Sequence, residues 1–487
     1  MNTDHFTIYS KQNKQTIIHF AEKIERFHSL MDYVFQRKNF IPSDQNKLTI
    51  FILQNRNQVR KLHGGKNNRY IAGFYIPNSG NSSVFITTLR KKSKTQSLSE
   101  QILLHEYTHH YLMGSSSSYY PMWLNEGSAE FFSNVIFEKN GSIGLGMPAH
   151  NRKVELSSPG IKKIKTSTLL DTKKYLKEKN STPDNFYGRS WLLFHKLIFS
   201  KERLGQLDHY LKLLKNNYSE IDSANLAFGN LDILDKELNE YQKQKSMVYA
   251  PIPKSFLSEG NKIELRILSK VEQETINMVM QLKRGITDEK LREFLPKIND
   301  LVKKNSENIN LLSLALDINY KSIARKIDSS DLEWTLSLSD KILKIQSDNS
   351  TALRYKALIL SKYLLMNEQS IYNWNQVHKL LEKAIRLDPK NPLALENYFD
   401  IFQMQKVNPT ELATKRLQLS VSLSPFDKNL RGKLAHHYFK NELYKRTVDT
   451  LKPLLSDTHN KEIREWAIKL TEQSLEKLSL QESMDSS

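Results

Sequence analysis

Residues 103–112 read LLHEYTHHYL, and the string His-Glu-Tyr-Thr-His within them has the residue types and spacing for metal chemistry. On a helix, His105 and His109 stand at i and i+4, side by side on one face. Glu106 points to the neighbouring side, where a carboxylate can reach a water on a metal held by the two imidazoles. A zinc bound this way needs a third protein ligand and one open position. Sixteen residues separate His109 from Glu126, which sits in the string Trp123-Leu-Asn-Glu-Gly-Ser-Ala-Glu130. A second helix packed across the first can present Glu126 to the same metal, giving a two-histidine, one-glutamate set. Glu130 lies one turn further on that face. From there it can accept a hydrogen bond from the non-ligating nitrogen of a zinc-bound histidine and so fix its tautomer. The chain has no cysteine, so any zinc must be held by histidine and carboxylate. The bland reading is a helix that merely carries histidines, and it is the second acidic string that weighs against it.

Both strings need helices of the right length and direction. Ser97-Leu98-Ser99-Glu100 has the pattern of a capping box ahead of the first, and Gly114 is placed to stop it. Pro121 opens the second, whose apolar spacing extends over 122–137. Upstream, FTIYS, KLTIFIL, NRYIAGFYIP and SSVFITTL read as strands, the last two joined by the turn Asn78-Ser79-Gly80-Asn81. KQTIIHFAEKIERFHSLMDYVF has helical periodicity. Downstream, 141–185 reads as loop. Helices resume at YGRSWLLFHKLIF, ERLGQLDHYLKLLKN and LDILDKELNEYQKQ, and SMVYAPIPKSF, with two prolines, is the best candidate for a domain boundary.

HEYTH followed by WLNEGSAE is similar to the gluzincin metallopeptidases, the clan that contains thermolysin and the zinc aminopeptidases. Within it the chain most resembles the peptidase-MA-like family. The likeness runs from DHFTIYS through the GFY strand to FYGRSWLLFHKL, roughly residues 4–245. It implies an α+β, zincin-like (thermolysin-like) catalytic domain over 1–255 and zinc as cofactor. By the same resemblance the metal ligands are His105, His109 and Glu126, the general base is Glu106, and Glu130 supports a ligand. Gluzincins also supply a Tyr or His from a later segment to the developing oxyanion. The resemblance places Tyr187 there, although a tyrosine at a helix start can equally be a packing residue; His195 and Tyr120 are weaker candidates. His110 points about 100° away from His109 and reads as structural. Aminopeptidases of the clan hold a free α-ammonium with a carboxylate ahead of the zinc helix. The corresponding region here, Ala72 to Pro77 with Ser82 to Thr88, has none, which favours an endopeptidase.

Beyond about residue 256 the sequence is almost wholly helical and weakly repetitive. LEKAIRLDPKNPLALENY (381–398) has Ala384, Leu387, Pro389 and Ala394 at the small, apolar and breaker positions of a tetratricopeptide helix pair. Similar strings begin 36 residues later and 42 earlier. An all-α tetratricopeptide-like repeat domain over 256–487 is the reading, with a generic helical bundle as the alternative. Its partner class is protein or peptide. Hence two functions stand side by side: a zinc-dependent metallopeptidase acting on a protein or peptide substrate, or a helical-repeat adaptor whose zincin domain is catalytically silent.

A net charge of +19 over 487 residues raises the question of an anionic partner. The sharpest imbalance is Gln45–Ser99, with ten basic residues and no acidic one: Lys47, Arg56, Arg60, Lys61, Lys66, Arg69, Arg90, Lys91, Lys92 and Lys94. No helix-turn-helix, RNA-binding string or zinc finger accompanies it, so nucleic acid is disfavoured. No apolar run has the length of a membrane span and no signal peptide is evident. As written the chain reads as cytoplasmic, or as periplasmic or secreted if an upstream export signal is missing.

Overall fold

The computed structural model describes residues 1–65, 71–80, 82–89, 96–113, 120–327, 331–366, 371–456 and 460–485. Gly114, Asn81, Lys66, Arg69, Arg90, Lys91, Lys92 and Lys94 lie outside them. The chain opens with β1 (Phe6–Ser10), α1 (Lys14–Val34), β2 (Leu48–Leu53), α2 (Arg56–His63), β3 (Gly73–Ile76) and β4 (Ser83–Thr87). The four strands form one sheet in the order β1-β2-β4-β3. β1 and β4 run parallel to β2, and β3 is the antiparallel edge strand. All six residues of β2 are buried, as a central strand covered on both faces must be. On one face Ile8, Ile50, Val84 and Ile86 join the main core with Phe20, Ile24 and Phe27 of α1. On the other, Phe51 stacks between Tyr9 and Phe85, each at 5.1 Å.

Two helices follow, α3 (Leu98–Met113) and α4 (Met122–Phe132). The capping box is made in both directions: Ser97 N donates to Glu100 at 2.8 Å, and Glu100 N donates to Ser97 Oγ at 3.2 Å. Helix α4 ends five residues earlier than its apolar pattern predicts. Ser133 Oγ and Asn134 Nδ2 both donate to the carbonyl of Glu130, at 3.1 and 2.7 Å, and side chains that satisfy backbone acceptors locally compete with helix continuation. The next residues instead form β5 (Ile136–Phe137), hairpinned to β6 (Ile143–Leu145) around Gly141 at φ +86°.

The stretch read as loop carries, besides β6, the short helices α5 (His150–Ser157), α6 (Thr166–Leu169) and α7 (Thr172–Glu178). All have eight residues or fewer, too short for periodicity to register. Then come α8 (Phe186–Phe199), α9 (Gln206–Lys215), α10 (Glu220–Phe228), α11 (Leu231–Gln242) and β7 (Ala250–Ile252). Strand β7 lies inside SMVYAPIPKSF and pairs antiparallel with β6, so these prolines sit at a sheet edge. The chain stays on this first unit through residue 264, where Glu264 and Asn2 exchange backbone hydrogen bonds.

The remainder is helical: α12 (Lys270–Arg284), α13 (Asp288–Lys304), α14 (Ile309–Ala324), α15 (Leu332–Ile345), α16 (Ser350–Met366), α17 (Trp374–Leu387), α18 (Pro392–Met404), α19 (Glu411–Leu423), α20 (Lys428–Lys440), α21 (Tyr444–Leu451) and α22 (Lys461–Asp485). Each packs on its neighbour in sequence, in the manner of tetratricopeptide-like stacked pairs. Ala384, Ala394 and Leu381 are wholly buried between pairs, the small positions permitting close helix approach. This region is not independent of the sheet. Ile276, Val279 and Met280 of α12 pack on Phe51, Leu53, Val59, Leu62 and Phe85. Farther along, Asp427 accepts from Ser79 N at 2.8 Å, and Asn46 Nδ2 donates to Leu423 O at 2.8 Å. The Phe426 ring lies 4.2 Å from the ring of His110 on α3.

Candidate metal centre

Helix α4 packs both across α3 and along α8. The closeness of the second contact explains Gly127: a Cβ there would stand 2.4 Å from the carbonyl oxygen of Ser190. With Gly127 against α8, Glu126 and Glu130 project toward α3 and meet its two histidines. His105 Nε2 and His109 Nε2 are 3.1 Å apart, and each is 3.5 Å from Glu126 Oε2. A tetrahedral zinc with bonds of about 2.0–2.1 Å sets its ligands about 3.3–3.4 Å apart, so this triangle fits the ion. Among the described residues it is the one cluster of three or more His, Cys, Asp or Glu with convergent donor atoms.

The orientation of the rings fits as well. Asn125 Oδ1 lies 3.1 Å from His109 Nδ1, and Glu130 Oε1 lies 3.3 Å from His105 Nδ1. Each histidine is thus held by its outer nitrogen and turns Nε2 inward. Glu130 has the place expected from its spacing. Asn125 was not anticipated, although it sits beside Glu126 in the same string.

Glu126 is fully buried, and a buried carboxylate is costly unless compensated by cations or a metal. Burial favours its neutral form, but the imidazoles of His109 and His105 outweigh this and hold it well below the usual carboxylate range. Burial likewise opposes charge on His105, but hydrogen bonds to Glu126 and Glu130 push it up to about 10. Glu130, buried yet bonded to His105 and Arg152, is held down to about 2. In this arrangement His105 and Arg152 balance the two carboxylates, and a divalent cation that displaces the proton of His105 would take over its role beside Glu126.

Glu106 is half-buried on α3 and close enough to Tyr75 for its charge to act on that phenol. Tyr187 stands in the first turn of α8 with the Arg152 guanidinium over its ring, and the charge of Glu126, followed by burial, raises its phenol far above the ordinary value. It therefore stays a protonated donor at any ordinary pH. His195 does not face the centre. It is buried, with Nδ1 2.8 Å from Tyr241 Oη and Nε2 3.0 Å from Gly146 O. Tyr120 is half-buried against the main core. His110 turns to Tyr75, whose hydroxyl lies 2.7 Å from its Nδ1, and burial lowers its pKa to about 3. A neutral ring wedged between Tyr75 and Phe426 has a packing role.

No known protein family matches the chain, and no curated protein matches it significantly. Solved structures to which it is similar include MamA, at 12% identity with a TM-score of 0.25, covering 45% of this chain and 99% of that one. Another is the TPR domain of P58(IPK), at 13% identity with a TM-score of 0.21, covering 65% and 77%. No helix among the described residues is long and apolar enough to cross a membrane.

Proposed function

We propose that the protein is a zinc-dependent peptidase whose metal is held by His105, His109 and Glu126. The observation that carries this reading is the triangle of Nε2, Nε2 and Oε2 with edges of 3.1–3.5 Å, its outer nitrogens held by Asn125 and Glu130. A zinc bound there would supply Lewis acidity toward a substrate carbonyl and toward water. Glu106 takes the proton from the attacking water and delivers it to the leaving amine. Tyr187 donates its phenolic hydrogen to the oxygen on which negative charge develops. Strand β3, the edge strand of the sheet beside α3, would pair with an extended substrate backbone through the main-chain groups that β4 does not use. Pairing of that kind needs no chain end and suits an endopeptidase. The basic stretch Gln45–Ser99 would favour acidic residues near the scissile bond, but Lys47 takes no part in this, being buried and bound to Asp44 and Thr3 O, each at 2.6 Å.

A second reading, an interaction protein with a silent metal site, is favoured by the tetratricopeptide-like helix pairs, which take up nearly half the chain. Hydrolysis of an unstructured protein such as casein separates the two. The peptidase reading expects cleavage that a chelator removes and zinc restores. Zinc bound at one equivalent without cleavage of casein or of any peptide library supports the second reading.

A further inference from the structure

Arg152 lies on α5, within the stretch that sequence reads as loop. Its Nη2 donates to Glu130 Oε1 at 2.6 Å and its Nη1 to Glu155 Oε2 at 2.6 Å. The other oxygen of Glu155 accepts from the backbone N–H of Gly188 at 2.9 Å. The guanidinium also lies over the ring of Tyr187, 4.9 Å from its centroid. One planar cation thus joins α4 at Glu130, its own helix at Glu155, and the first turn of α8 at Tyr187. These roles need a fork and a flat face together, which arginine has and lysine lacks. Glu130 Oε1 is in turn the atom that faces His105 Nδ1 at 3.3 Å.

From this geometry we infer that Arg152 is a positioning residue of the metal centre, fixing Glu130 against His105 and bracing the ring of Tyr187 through a single guanidinium. The inference rests on the metal-centre reading above. Arg152 is not a catalytic residue, because its contacts are to Glu130, Glu155 and Tyr187 rather than to the three ligands. Without it Glu130 loses its stronger partner and is free to turn from His105, whose ring then loses its outer restraint. Tyr187 simultaneously loses the plane on which its ring rests. A guanidinium that only tied α5 to the fold would leave ligand orientation unchanged, and this distinguishes the two roles.

The test uses the full chain as wild type, Arg152→Ala, Arg152→Lys, Glu130→Gln and the Arg152→Ala/Glu130→Gln double variant, with folding checked by circular dichroism. Zinc affinity is measured by competition with a chromophoric chelator, and the imidazoles of the metal-free forms are followed by nitrogen-15 NMR. Loss of a group that orients a ligand weakens metal binding about 10–100-fold, and that is the effect expected of Arg152→Ala, with little recovery in Arg152→Lys. Because Arg152 acts through Glu130, the double variant should be no weaker than the worse single one by more than about twofold. In the metal-free protein the His105 resonances should move in Arg152→Ala, while those of His195 stay. Zinc affinity within about twofold of wild type, fully additive effects, or unmoved His105 resonances would each overturn the inference. A wild type that binds no zinc refutes the metal-centre reading instead, and the His105 resonances then decide the role of Arg152 alone.

Discussion

At the scale of single residues, roles divide by what each side chain can give up. Glu106, proposed here as the base, is not one of the three converging donors. Glu106→Gln keeps shape and burial and removes only the ability to accept a proton. It is expected to keep zinc at one equivalent and to lower turnover by at least about 100-fold, the scale of a general base. Unchanged turnover in this variant, measured on a quenched fluorescent peptide, would move the base elsewhere. The pairing of His105 with His109 was legible in the sequence because i, i+4 spacing on a helix fixes direction without tertiary knowledge, and the convergence of Glu126 on them was expected from a second helix packed across the first. Glu130 was legible for the same reason, one turn from Glu126. Arg152 was not, because its three partners come from separate elements and no local pattern announces such a meeting. The oxyanion candidate, Tyr187, came from resemblance, and its contact with Arg152 is information that only packing provides.

At the scale of elements, the centre depends on how closely α4 can approach α8. Gly127→Ala puts a methyl group 2.4 Å from the Ser190 carbonyl and 3.2 Å from its Cβ. Backbone cannot step aside as a flexible side chain can, so α4 must tilt or slide and carry Glu126 and Glu130 with it. Overpacking of this kind costs about 1–3 kcal/mol. The expected result is a folded protein with a lowered melting temperature and weakened zinc binding, read by calorimetry and chelator competition. Normal zinc affinity in Gly127→Ala would show that the two helices are not rigidly coupled. Helices α1, α3 and α8 and strands β1, β2 and β4 were plain from periodicity and capping. The hairpin β5–β6 was hidden inside an apolar run, since Val135-Ile136-Phe137 keep the apolar spacing of the helix although Ser133 and Asn134 have already closed it.

At the scale of the whole molecule, the helical region and the sheet share a buried junction along α12. Lys283 is half-buried there, and burial, opposed by Asp317, lowers its pKa to about 8. The folded value lies below the unfolded one, so the unfolded chain binds more protons between about pH 8 and pH 10.5. This residue therefore contributes rising stability as pH increases through that window, and a penalty below it. Lys283→Met should raise the melting temperature at pH 7 and flatten the rise in stability between pH 8 and pH 10, as followed by thermal melts across that range. A lower melting temperature at pH 7 would show that the ammonium is stabilised in place. The division into a sheet-bearing first part and paired helices was legible from the change in periodicity. The junction was not, because Ile276, Val279 and Met280 look like any amphipathic stripe until the face they cover is known.

If His105, His109 and Glu126 together hold one zinc, removing one of the three must empty the site. Elemental analysis of the purified full chain, beside Glu126→Ala, tests it most directly. About one zinc per chain is expected in wild type and a large loss in Glu126→Ala, with both proteins folded. Wild type without zinc after exposure to a stoichiometric supply, or Glu126→Ala retaining it with wild-type affinity, would contradict it.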